Sequence, residues 1–325
     1  MRIELRSTYP VHGTERDQWI LSHRPIRNNL NPNQPYAFFV EQECSATREI
    51  VPVATVFLTN RECPLRCLMC DLWRNTLTES VPAGAIPAQI DYALARLPSA
   101  RQIKLYNSGS FFDSKAIPVE DYPAIATQVK AFDRTVVECH PSLLKEDYLK
   151  FRDSLPNRLE VAMGLETVHP EILERLNKRM TLDQFSAAAE CLRRNETDLR
   201  VFILVQPPFM KAHEALYWAE RSLDFAFAFG ATAATLIPTR GGNGALEILA
   251  QNGEFTPPPL EILESAVSYG LGLKRGRVFA DLWDLNASST ECPACFAARV
   301  ERLRYMNLQQ CALPAIQCTH CEECK

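Results

Sequence analysis

The chain has 325 residues, 46% hydrophobic and 23% charged, with a formal net charge of −4. That composition suits one large α/β domain or two smaller ones, and the acidic balance supplies no global attraction for nucleic acid, only for a local patch to provide. No uninterrupted apolar run reaches the roughly 20 residues of a transmembrane helix, and the start Met1–Arg6 has no apolar signal core, so a cytoplasmic protein without membrane contact is expected.

Residues 1–50 mix charge, Pro and Asn around one short apolar patch, Tyr36–Val40, and read as an irregular N-terminal extension. From 51 to 240 a strand-then-helix rhythm repeats. Strands are predicted at 51–59, 102–106, 135–139, 159–166, 200–206 and 233–237, and helices at 86–97, 118–132, 142–152, 181–194 and 212–229. Thr181 with Gln184 forms a capping-box signature at the start of the fourth helix. Six strands alternating with helices specify a parallel α/β sheet with right-handed crossovers. Residues 241–325 form a C-terminal extension, with a helix at 260–268, a strand at 277–283 and a basic helix at 296–305.

Twelve cysteines are many for a cytoplasmic chain, where disulfides are rare, and their clustering argues for metal. Cys63, Cys67 and Cys70 stand in a C-x3-C-x2-C loop directly after the first predicted strand. Cys292, Cys295, Cys318 and Cys321 form two C-x2-C pairs, with Cys311 and Cys324 as spare thiols. Cys139 is isolated, as are Cys44 and Cys191, which read as small buried hydrophobes. Thiolates hold iron–sulfur clusters, and a [4Fe-4S] cube with three protein ligands keeps one iron open. Zinc would want a fourth ligand, and no His lies near the loop. In parallel α/β sheets ligands lie beyond the carboxyl ends of the strands. That rule selects Ser108, Gly109, Ser110, Glu138, Glu166 and Gln206. The two C-terminal pairs suit a tetrahedral Zn2+, with a second [4Fe-4S] cluster as the rival.

The opening triplet resembles the cluster loop of the radical S-adenosylmethionine (SAM) superfamily. The resemblance implies a partial (β/α)6 TIM-like barrel over 51–240, an open iron that chelates SAM, and an electron donor such as flavodoxin or ferredoxin. Reductive cleavage of SAM would then yield a 5′-deoxyadenosyl radical. It also implies that Met69 stands where the family often has an aromatic residue near the adenine, and that Gly164-Leu165-Glu166 contacts the ribose. The family commonly has Gly-Gly-Glu where this chain has Ser108-Gly109-Ser110, so binding of the SAM ammonium would pass to carbonyls or Ser110. Ser108–Asp113, Gly164–Thr167, Asn177-Lys178 and Pro207-Pro208-Phe209 look like the radical-SAM subunit of archaeosine synthase and, more loosely, the tRNA-modifying elongator and methylthiotransferase branch. A tRNA base or nucleoside is the substrate this implies. A peptide or small-molecule substrate, or a non-catalytic iron–sulfur or zinc protein, is the alternative. Arg299, Arg302 and Arg304, with Arg275 and Arg277, could form a basic face, for which a solvated helix surface is the commoner explanation and RNA contact the sharper, weaker one.

Overall fold

The computed structural model describes residues 7–285 and 291–323. One sheet carries eight strands in chain order: β1 Ala37–Cys44, β2 Ile50–Phe57, β3 Gln102–Tyr106, β4 Arg134–Glu138, β5 Arg158–Glu166, β6 Asp198–Val205, β7 Ala233–Pro238 and β8 Arg277–Ala280. β1 pairs antiparallel with β2, and every later neighbour runs parallel. The helices are α1 Gly13–Ser22, α2 Ala85–Leu94, α3 Tyr122–Val129, α4 Glu146–Ser154, α5 Pro170–Arg175, α6 Leu182–Arg194, α7 Ala215–Ala228, α8 Ala245–Gln251, α9 Leu260–Leu273, α10 Phe296–Gln309 and α11 Thr319–Glu323. The fold is the expected α/β partial TIM-like barrel. Among the described residues no helix is long and apolar enough to cross a membrane.

All six predicted strands and the helices between them form, and Thr181 and Gln184 make both halves of the capping box. The sheet nevertheless extends beyond six strands at both edges. β1 comes from the N-terminal extension, where Glu41 and Glu43 break the apolar run that marks a strand, and β8 comes from the C-terminal extension.

Alternation along each strand gives the sheet two faces. Val56, Leu105, Val137, Val161, Val201, Leu236 and Val278 point to the helices and form the main core. The opposite face lines the lumen, and its base is charged. Glu160, fully buried, accepts from Arg134 at 3.0 Å, Arg200 at 2.6 Å and Arg277 at 2.8 Å. Arg200 also reaches Glu43 at 2.6 Å, which in turn holds Lys104 at 2.5 Å. Glu41 adds a second carboxylate to Lys104, and Asp198 one to Arg134. The cations Lys104, Arg134, Arg200 and Arg277 thus face an equal number of carboxylates.

Burial alone would raise the Glu43 carboxyl, but Arg200 and Lys104 outweigh it and hold it at about 2. Arg200, Arg277 and Arg134 likewise hold Glu160 well below the carboxylate range against its desolvation. A carboxyl lowered on folding stabilises the protein above its unfolded value of about 4.5, and that stabilisation is lost as pH falls towards about 2. Urea titrations of Glu43→Gln should therefore show lower stability at pH 7 and a shallower loss on acidification. Glu160→Gln leaves three buried cations short of a partner and should cost about 3–5 kcal/mol at pH 7. A midpoint equal to wild type would exclude the network as a stabilising element.

Candidate cofactor and metal sites

Cys63, Cys67 and Cys70 lie in the loop that leaves the carboxyl end of β2, on the rim shared by the other strand ends. The loop is tied down by its backbone. Leu68 N–H donates to the Leu176 carbonyl and Cys70 N–H to that of Cys67. Asn243 Nδ2 donates to the Leu68 carbonyl at 2.7 Å and Asn177 Nδ2 to that of Arg66 at 2.7 Å. The N-terminal extension, which the sequence marks with no chemistry of its own, braces the same loop. Glu62 accepts from Arg24, Arg27 and Arg66, and Asp17 of α1 accepts from Asn177 at 2.8 Å.

The residues present fit a thiolate-bound cluster. A Cβ on Gly109 would lie 3.2 Å from that of Cys63, so the β3 turn approaches the loop as closely as glycine allows. Burial pushes Cys67 up to about 12 and raises Cys63 and Cys70, whereas the Lys178 ammonium works the other way on Cys63 and Cys67. Lys178 is buried and bonds Glu166 at 2.6 Å. Gly164 leaves room for that pair, because a Cβ there would lie 2.1 Å from Glu166 Oε1 and 2.6 Å from Lys178 Nζ and would displace them.

The strand-end residues gather on this rim with partners the sequence left open. Ser108 Oγ and Tyr36 Oη are 3.0 Å apart. Ser110 Oγ donates to Cys139 Sγ and accepts from His140 N–H. Glu138 accepts from Asn107 N–H at 3.0 Å, and burial, opposed by the Asn107 and Ser108 amides, pushes its carboxyl up to about 7. Glu166 is held by Lys178, and Gln206 Nε2 donates to Thr256. Met69 packs against the apolar cluster of Ile172, Leu176, Leu204 and Met210.

Two further features mark the rim. Ser108, Glu166 and Gln206 have φ of 53°, 65° and 52°, left-handed values that are strained for these residue types and concentrate at ligand sites. Thr59 Oγ1, Asn60 Oδ1, both amide atoms of Asn107 and Gln206 Oε1 are buried without a hydrogen-bond partner among the described residues. Each such atom costs about 1–3 kcal/mol if nothing binds it. Asn107, Asn177, Lys178 and Asn243 were not singled out from sequence as site residues. Asn177 and Lys178 figure there only within a segment that carries the resemblance.

At the other end of the chain, one ligand atom from each of Cys292, Cys295, Cys318 and Cys321 lies within 4.8 Å of all the others. Cys292 and Cys318 sulfurs are 3.9 Å apart, and Cys295 and Cys321 sulfurs 3.7 Å. The Cys295 and Ala294 amides lower the Cys292 thiol to about 7. This group can hold a metal. Cys311 is exposed and stands outside it, and Cys324 lies outside the described residues.

The basic face does not form. Arg277 is buried against Glu160, Arg299 pairs with Glu264 and Glu291, Arg302 with Glu264, and Arg304 with Glu301. Of the five, Arg275 is the exposed residue for which no ion pair is recorded. The correction has a simple cause: Glu160 of the sheet and Glu264 of α9, distant in sequence, engage Arg277, Arg299 and Arg302, which leaves Arg275 and Arg304 on the surface.

The three-cysteine loop thus lies over the carboxyl rim of a partial barrel, the arrangement that the sequence resemblance leads one to expect. No protein-family model matches this chain. It is 26% identical over 282 residues to archaeosine synthase subunit beta of Methanosarcina acetivorans, covering 80% of this chain and 78% of that protein. The Thermococcus kodakarensis protein of the same name is 25% identical over 201 residues, with 59% and 62% covered. An uncharacterised protein of Methanocaldococcus jannaschii is 25% identical over 252 residues, with 73% and 69% covered. Among solved structures, Elp3 of Methanocaldococcus infernus overlays with TM-score 0.49 at 15% identity, covering 68% of this chain and 57% of that one. The radical SAM methyltransferase TsrM of Kitasatospora setae overlays at 0.47 and 17% identity, covering 61% and 39%. The chain therefore spans less than two thirds of either solved structure.

Asn243→Ala removes the donor to Leu68 and the acceptor of the Leu246 amide. The expected outcome is a stability loss of about 1–3 kcal/mol and fewer iron atoms retained per chain after anaerobic reconstitution. Unchanged iron content would show that Asn243 does not hold the loop.

Proposed function

We propose that Cys63, Cys67 and Cys70 carry a [4Fe-4S] cluster, that SAM lies across Met69, Ser108, Gly109, Ser110, Glu138, Glu166 and Gln206, and that the substrate is a modified base in tRNA or a related nucleoside. The observation that carries the reading is the coincidence, on one rim, of the three-cysteine loop with strained strand ends and unpartnered buried polar atoms. When bound, cluster and SAM supply one-electron cleavage of the sulfonium, with a flavodoxin or ferredoxin as the natural reductant. The chain's own part is positional. Lys178 offsets the negative charge of the thiolates and opposes a carboxylate held beside them. Gln206 Oε1 and the Asn107 amide offer hydrogen-bonding atoms that the protein leaves open. Glu138, with its carboxyl at about 7, is suited to hold or release a proton near neutral pH.

The substrate reading rests on the names of the relatives, archaeosine synthase subunit beta. The neutralised arginines give it no electrostatic support. For the C-terminal cysteines the spacing favours Zn2+ over a second cluster. Four thiolates at about 2.3 Å from one tetrahedral ion lie about 3.8 Å apart, against the 3.7 and 3.9 Å found. Thiolates on the corners of a cube sit farther apart.

Anaerobic incubation of reconstituted protein with SAM and reductant, with and without bulk tRNA, should release 5′-deoxyadenosine and alter a tRNA nucleoside in the mass spectrum. Replacing Cys63, Cys67 and Cys70 together with Ala should abolish both and leave about one zinc per chain. Unchanged iron in that variant would sink the cluster assignment, and extra iron at the C-terminal cysteines would favour the second cluster. Glu166→Gln should weaken SAM binding while sparing the cluster. An unaltered tRNA pool with SAM still cleaved would move the substrate to a peptide or small molecule.

A further inference from the structure

Above the charged base, the lumen is lined by rings that no helix covers. Phe38, Val56, Leu105 and Val201 pack on the helix side, so alternation turns Phe39, Phe57, Tyr106 and Phe202 inward. Their centroids form a chain: Phe39 to Phe57 at 5.9 Å, Phe57 to Tyr106 at 5.9 Å and Tyr106 to Phe202 at 6.3 Å. Tyr36 adds a further ring 5.4 Å from Phe57. β3 and β6 are not neighbours in the sheet, so the Tyr106–Phe202 contact spans the lumen. Each of these rings is half-buried despite lying inside a barrel.

The two edges of the sheet meet at this level. Phe39 of β1 stacks on Trp283, just past β8, with centroids 5.8 Å apart and planes 13° apart. Trp283 is 61% exposed. Polar atoms without partners stand beside the rings. Thr235, in register with Phe202 on one side and Phe279 on the other, has a buried hydroxyl with no partner among the described residues. Gln206 Oε1 and Arg240 Nη1, past the ends of β6 and β7, are also buried without a partner, although Gln206 Nε2 bonds Thr256 and Arg240 pairs with Asp281.

We propose that this chamber receives a nucleobase, stacked at its rim on Trp283 and Phe39, with the Thr235 hydroxyl meeting a heteroatom on its ring edge. Flat rings bind any planar group. A hydroxyl left unpaired among them, able to donate and to accept, favours one that carries hydrogen-bonding heteroatoms on its edge, which a phenyl side chain does not. The inference deepens the base-directed reading above and rests on it for the macromolecule, but not for the ring.

The test uses reconstituted full-length protein with saturating S-adenosylhomocysteine to fill the cofactor position. 2-Aminopurine riboside is the probe and its fluorescence the readout. Wild type should quench the probe on binding. Trp283→Ala should bind it roughly tenfold more weakly, within the range that one aromatic stack supplies, and Trp283→Phe should restore most of the affinity. Trp283 is exposed, so its removal leaves the core intact, and circular dichroism checks the fold. No quenching by wild type, or equal affinity in Trp283→Ala, overturns the proposal. A parallel titration with bulk tRNA separates the two readings. Quenching without tRNA binding keeps the chamber and removes tRNA as the substrate. Binding of tRNA without quenching does the reverse.

Discussion

One carboxylate, Glu160, sets the shape of the barrel. Through Arg134, Arg200 and Arg277 it joins β4, β6 and β8 to its own strand β5, and Arg200 hands the link on to Glu43 of β1 and Lys104 of β3. Buried charge is tolerated only when paired, so each of these strands must reach the lumen in a register that brings its charge to a partner. A shift of one residue would turn the charges into the helix-covered core and valines into the lumen. The network thereby fixes the curl that brings β1 and β8 together.

The rim above depends on that curl. The parallel strands open onto one rim, and several of the chains leaving them turn through left-handed backbone at Ser108, Glu166 and Gln206. The cysteine loop is then held from three directions: Asn243 from beyond β7, Asn177 from beyond α5, and the arginines of the N-terminal extension acting on Glu62. None of these braces carries cofactor chemistry itself. They hold the loop and its three thiols in place, and they do so with neutral amides and the half-buried carboxylate of Glu62.

Much of this was legible in the residues. Apolar runs flanked by turn residues mark β2 to β7, and period-3.6 patterns mark α2, α6 and α7, because a strand or helix buried on one face must repeat its apolar residues at the element's own period. The C-x3-C-x2-C spacing and the paired C-x2-C knuckles are local, so chain connectivity alone brings the thiols of each motif near one another. β1 was not legible, because its Glu41 and Glu43 are intelligible only once Lys104 and Arg200 lie opposite. The partners of Glu138 and Glu166 were hidden for the same reason, although both residues were correctly set at strand ends.

By itself the sequence determined the elements, the parallel order of the central strands and the thiols available to a metal, since all three follow from periodicity and spacing along the chain. Tertiary structure alone decided which charges neutralise one another. It paired arginines that stand near one another in the sequence, by bringing Glu264 of α9 against Arg299 and Arg302 of α10. It also turned scattered phenylalanines and tyrosines into one ring-lined chamber and drew four cysteines from two distant pairs within 4.8 Å. The physical reason is common to these cases: electrostatic and packing energies depend on distance in space, and only the closed barrel sets that distance for residues far apart in the chain.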